Sequence, residues 1–148
     1  MNLVSIDIKE RLLERGLGYF VEADGRAADY AICISSEPAT PDRVITIYDT
    51  GGPSPMECMD AGRNPIHQET FQIRVRGIGY LETRAKLDDI IWVLHRREVY
   101  MAANQFPGEP YMKYTEIAKQ GAALPLPKDG KGRDIWTQNF RVFRHEMP

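Results

Sequence analysis

Cysteine is scarce in this chain. There are only two, Cys33 and Cys58, in 148 residues, and they form no CxxC pair and no metal-ligand spacing. A disulfide scaffold or a zinc module is therefore not what organises the fold. Histidine is equally sparse, and His67, His95 and His145 lie in separate segments. No apolar run reaches membrane-spanning length. No charge of one sign dominates either: 19 basic against 21 acidic residues leave a formal net charge of −2. That balance provides no global positive field for nucleic acid and no strongly acidic surface to repel it. The opening MNLVSIDIKERLLERG carries charges throughout and lacks the hydrophobic centre of a signal peptide, so the expectation is synthesis and folding in the cytoplasm. What remains is ordinary: 43% hydrophobic and 27% charged residues, enough to bury one core in one domain spanning 1–148.

Periodicity orders the segments. Ser5 followed by IDIKERLLERG reads as a capped helix, with Ile8 and Leu12 on one face, Asp7 near its start, Arg11 and Arg15 near its end, and Gly16 as a left-handed stop. Residues 28–35 and 43–48 are strand candidates, joined by the turn-rich SSEPATPD as a hairpin or a strand-loop-strand unit. In VITIYD both faces are largely apolar, which predicts a central strand covered on both sides or flanked by a subunit. Residues 53–68 show no period and form a long loop, of the kind that is functional or mobile in compact domains. In ETFQIRVR, Phe71, Ile73 and Val75 alternate with Gln72, Arg74 and Arg76, predicting one core face and one wet, basic face. A helix over 80–95 follows from Leu81, Leu87, Ile90, Ile91 and Leu94 at helical spacing. Residues 112–120 alternate poorly, LPLPKDGKGRD reads as a turn-rich link, and IWTQNFRVFR closes the chain as a strand. There Trp136, Phe140 and Val142 oppose Thr137, Asn139, Arg141 and Phe143. The class is α+β, without internal repeats.

The stretch ITIYDTGGPSP, residues 45–55, poses the functional question, because paired glycines after a strand suit phosphate binding, a metal turn or a plain strand end. A phosphate loop needs GxxxxGK[ST], and Pro53 removes an amide that such a cradle would use. A strand end is the favoured reading. Gly77-Ile78-Gly79 lies between a strand and a helix, as a dinucleotide loop would, but Glu82 stands where a third glycine is required, and its charge opposes a pyrophosphate. Pro41-Asp42 with Asp129-Gly130-Lys131 spells the letters of a metal-dependent nuclease. The second half falls in a glycine-rich turn that would leave carboxylate and lysine mobile. Neither a serine nor a cysteine has the local context of a nucleophile. Cys33, inside an apolar stretch, reads as a small buried thiol.

Taken in order, YDTGG, then ETFQIRVRG, then Tyr80 and a long helix, then the ending GRDIWTQNFRV resemble the bacteriophage minor capsid protein family that groups with tail terminator and tail completion proteins. The likeness spans roughly 45–144, and residues 99–111 depart from it. It implies a curved, mostly antiparallel sheet packed against an N-terminal helix and one longer helix. It also implies a homo-oligomeric ring, commonly of six copies, that caps the tail tube at the head-proximal end of the tail and joins the head connector. No catalytic residue, metal or cofactor is implied, and no membrane.

On that reading YDTGG ends a strand at a subunit edge, and its glycines release the following loop toward a neighbour or the tube. Tyr48, Asp49, Gly51, Gly52, Met56, Met59 and Arg63 are the candidate subunit or tube contacts. Arg74, Arg76, Lys128, Lys131 and Arg133 are candidates to line a lumen through which genomic DNA passes, or to pair across subunits. A head–tail connector or stopper subunit is the nearest rival, and a metal-dependent nuclease the distant one.

Overall fold

The computed structural model describes residues 3–20, 29–52, 66–95, 100–102 and 111–147. In chain order these form α1 (Val4–Glu14), β1 (Tyr19–Phe20), β2 (Ala31–Ile34), β3 (Val44–Gly51), β4 (His67–Gly77), α2 (Tyr80–Leu94), β5 (Tyr100–Ala102), β6 (Tyr111–Leu126) and β7 (Asp134–Met147). The sheet order is β1-β2-β3-β4-β7-β6-β5. β1, β2 and β3 run parallel to one another, and every other pairing is antiparallel. Five strands have four residues or more, with two short ones at the edges. This is the expected α+β class with an N-terminal helix and a longer second helix.

The alternation of β4 and β7 decides where the core lies. Ile45 and Ile47 of β3, Phe71, Ile73 and Val75 of β4, and Trp136, Phe140 and Val142 of β7 share one sheet face. Both helices pack on that face, α1 through Val4, Ile8 and Leu12 and α2 through Leu87, Ile90 and Leu94. At the centre Phe71 and Phe140 stack with ring centroids 4.9 Å apart. Truncating either fully buried ring to alanine is worth about 3–5 kcal/mol.

Several expectations change in detail. Ser5 does not cap α1, since the N-cap position is Leu3, which supplies no side-chain cap. Asp49, at the far end of β3, takes that role from outside, accepting from the Ser5 amide at 3.0 Å and from its hydroxyl at 2.5 Å. At the other end Gly16 adopts φ +68°, and the amides of Gly16 and Leu17 return to the carbonyls of Leu13 and Leu12, each at 3.0 Å, as a glycine stop requires. β2 and β3 are parallel, so residues 35–43 form a crossing loop and not a hairpin turn. The last strand pair is longer than its sequence suggests: β6 extends through LPL to Leu126. Its alternation is broken by irregularities between Tyr114 and Glu116 and between Gln120 and Leu124. The buried Gln138 amide fills the second, donating to the carbonyls of Gln120 and Gly121 at 3.1 and 3.3 Å.

A buried polar network ties the layers together. Arg144 is 1% exposed. It donates to Asp7 at 3.4 Å and to the Tyr114 hydroxyl at 3.1 Å, and it also pairs with Glu69. Tyr114 in turn donates to Asp7 at 2.6 Å. Burial pushes the Tyr114 phenol far up, so it stays a donor.

Candidate assembly surface

The YDTGG segment is a strand end, as its glycines suggest. Val44, Ile45, Thr46 and Ile47 are buried, Tyr48 is half-buried, and Asp49, Thr50 and Gly51 are exposed. A register shift between Asp49 and Gly51 marks a bulge, and Gly51 sits at φ +86°, where a side chain would be strained. Gly52 is required for a different reason: a Cβ there would collide with the Gln68 carbonyl. The Thr70 hydroxyl lies 2.7 Å from that of Thr50 and donates to the Gly51 carbonyl at 2.8 Å, pinning the bulge to β4. Met56, Met59 and Arg63, together with Cys58, lie outside the described residues.

The candidate lumen charges divide into two kinds. Arg76 was expected on a wet face but is 3% exposed, and Arg133 is 8% exposed. The reason is the crossing loop 35–43, which folds over the sheet face opposite the helices. Arg76 donates to the carbonyls of Pro41 and Asp42 at 2.7 and 3.3 Å. Arg133 donates to the Ala39 carbonyl at 2.7 Å and to Asp42 at 3.1 Å. Glu37 lies 3.7 Å from Arg74 and 3.8 Å from Arg76. Arg74, half-buried, also stands over the Tyr48 ring at 5.3 Å. Burial, reinforced by Arg133, lowers the Arg76 pKa from its ordinary value. The three arginines thus clasp a loop to the sheet, while Lys128 and Lys131 remain at the surface.

The nuclease letters do converge in space, but around an arginine. Asp42 and Asp129 both receive Arg133, at 3.1 and 2.7 Å. A cation at that point would have to displace a guanidinium already bonded to both carboxylates. The turn is also better ordered than its glycines imply. Asp129 accepts the amides of Lys131 and Arg133, each at 3.0 Å, and these bonds, that from Arg133 first, hold its carboxyl below the usual range. Among the described residues no group of three His, Cys, Asp or Glu has a metal-binding arrangement. Gly77 and Gly79 form a strand-to-helix turn, and Gly77 leaves room for the Thr83 hydroxyl. His95 ends α2, where its Nδ1 accepts the Lys119 amide at 3.0 Å. Cys33 is half-exposed, and burial raises its thiol pKa.

One surface was missed. Leu81 was counted on the core stripe of α2 but is 79% exposed, as is 67% of Trp92. Tyr80 and Ile78 are more than half exposed beside them. The signal was available in the sequence: Trp92 falls off the stripe set by Leu87, Ile90 and Leu94. Leu81 and Trp92 lie on the side of α2 turned away from the core.

Among solved structures, this arrangement is shared by a chain of a "Virion of native gene transfer agent (GTA) particle". The TM-score is 0.59 and the identity 11%, covering 96% of this chain and 94% of that one. The likeness shows a common fold. Residues 20–143, over four-fifths of the sequence, match the family described as bacteriophage tail terminator protein, and the chain belongs to that family. No curated protein matches it.

Proposed function

We propose that this chain is a tail terminator subunit, acting as a structural protein without catalysis. Copies of it form a ring, of six, that caps the finished tail tube, stops its growth and presents the surface that joins the head connector. It is made in the host cytoplasm and resides in the virion at the head-proximal end of the tail. Its partners are itself, the tail tube protein and the connector proteins, and genomic DNA passes through the ring without sequence-specific contact.

The observation that carries this reading is the family match over residues 20–143. The exposed surfaces support it: a strand end pinned at Gly51, and large apolar side chains turned outward on α2. Lys128 and Lys131 are the charges left to face a lumen or a neighbour, since Arg76 and Arg133 are committed within the fold.

Deleting residues 56–63 tests the role of that segment. The expected result is a folded chain, judged by circular dichroism, that no longer forms rings in electron micrographs, and rings of normal size in the deletion variant would refute it. Binding to purified tail tubes in the absence of heads separates a terminator from a head-side stopper, because only the terminator binds them.

A further inference from the structure

The crossing loop 35–43 rests on the sheet face opposite the helices, and both of its ends are fixed. The Ser35 amide donates to the Ile47 carbonyl at 3.0 Å, and the Ala31 amide to the Arg43 carbonyl at 3.1 Å. Between these points Arg133 holds the Ala39 carbonyl, and Arg76 holds those of Pro41 and Asp42. Glu37 is thereby suspended over Arg74 and Arg76. Its Oε2 is 3.7 Å from Arg74 Nη1 and its Oε1 is 3.8 Å from Arg76 Nη1, both beyond hydrogen-bond length. Arg74 is held in turn over the Tyr48 ring, at 5.3 Å.

Three buried polar atoms at this point make no hydrogen bond among the described residues: Glu37 Oε1, Arg74 Nε and Thr46 Oγ1. Thr46 is fully buried, at 0% exposure. It pairs with Arg74 across β3 and β4, which sets the two side chains about 5 Å apart at Cβ, on the face away from Ile45 and Ile47. Burial raises the Tyr48 phenol pKa; Arg74 and, more weakly, the nearby Thr46 hydroxyl oppose this, without a hydrogen bond at Thr46. A donor, an acceptor and a hydroxyl buried together lose their hydration and need a partner. The surrounding charge restricts what that partner is. Arg74, Arg76 and Arg133 are matched by Glu37, Asp42 and Asp129, so neither an anion nor a cation is favoured. A small neutral molecule that both donates and accepts is required.

We propose that a single water molecule is bound between the crossing loop and the sheet, accepting from Arg74 Nε and donating to Glu37 Oε1 and Thr46 Oγ1. Three hydrogen bonds are the usual complement of a buried water, and one water serves both kinds of partner without adding charge. The loop is docked through that water where its ion pairs fall short of direct contact. This is a property of the single subunit and is independent of the ring.

A high-resolution crystal structure of the full chain tests it. The expected result is a water peak about 2.7–3.2 Å from all three atoms. No peak, a direct hydrogen bond from Arg74 Nε to Glu37 or between Tyr48 and Thr46, or a peak that refines as an ion would overturn it. Two variants probe the same site. Thr46→Val keeps the shape of the side chain and removes its hydroxyl. With the hydroxyl satisfied by water, the unfolding equilibrium constant measured in urea should rise about fivefold, the worth of one net hydrogen bond. An unpaired hydroxyl would make valine neutral or stabilising, so an unchanged or lowered constant would contradict the proposal. Thr46→Ser keeps the hydroxyl, and its crystal structure should retain the peak; loss of the peak there would overturn the three-bonded site.

Discussion

Replacing Arg144 with methionine tests the fold's most exacting interaction. The guanidinium is 1% exposed and Asp7 is 2% exposed, so the charge at Asp7 is tolerable because Arg144 and Tyr114 donate to it. Burial works against the Arg144 charge, but Tyr114 and Glu69 more than offset this and raise its pKa. Removing one partner of a buried pair typically costs about 3–5 kcal/mol, because the other charge is left uncompensated. For a chain of this length each kcal/mol lowers the melting temperature by about 2–4 °C, so the expected fall is roughly 6–20 °C. Glu69 is 29% exposed and can turn to water, so the loss should arise at Asp7. A triple variant with Asp7→Leu, Tyr114→Phe and Arg144→Met removes the three buried members of the network and should regain at least half of the lost stability. Urea unfolding at neutral pH, followed by circular dichroism, measures both, and an unchanged slope confirms that the same surface is exposed on unfolding. A cost below about 1 kcal/mol for Arg144→Met, or a triple variant weaker than the single one, would refute the reasoning.

Further predictions concern the strand end and the turn. Asp49→Ala removes the carboxylate that caps α1 and should cost about 1 kcal/mol in urea unfolding. Loss of rings at unchanged stability would instead make Asp49 a subunit contact. Asp129 has a folded pKa held below its unfolded value by the Arg133 amide, the Arg133 side chain and the Lys131 amide. Its stabilisation is therefore complete above the ordinary carboxylate range and lost as pH falls through the lowered folded value. Asp129→Asn should lower the urea midpoint at neutral pH and merge with the wild type in strong acid, and a gap that persists there would contradict this. Cys33, with its thiol pKa raised by burial, should alkylate more slowly in the native chain than in urea at neutral pH, as read by peptide mass spectrometry, and equal rates would argue against that burial.

Much of the fold was legible because its central strands obey simple periods. Phe71, Ile73 and Val75, and Trp136, Phe140 and Val142, alternate cleanly because one face of their sheet is covered by helices. What stayed hidden was set by contacts distant in sequence. Arg76 looks solvated in ETFQIRVR, yet it is buried because a loop 35 residues earlier folds over it. Asp49 looks like a surface carboxylate, but it caps a helix 44 residues away. β6 was obscured because its two irregularities reset the alternation, so Met112, Tyr114 and Ile117 share the core despite their uneven spacing. Trp92 was overlooked because helical periodicity points to the buried side, and this side chain stands on the other.

The account depends on outward surfaces that bury area against copies of the same chain and against a tube. Native mass spectrometry of the purified chain mixed with purified tail tubes measures this most directly. The result predicted is one six-membered ring bound at a single end of each tube, with no ring along its length. A chain that binds tubes as a solitary subunit, or only in the presence of heads, would contradict it.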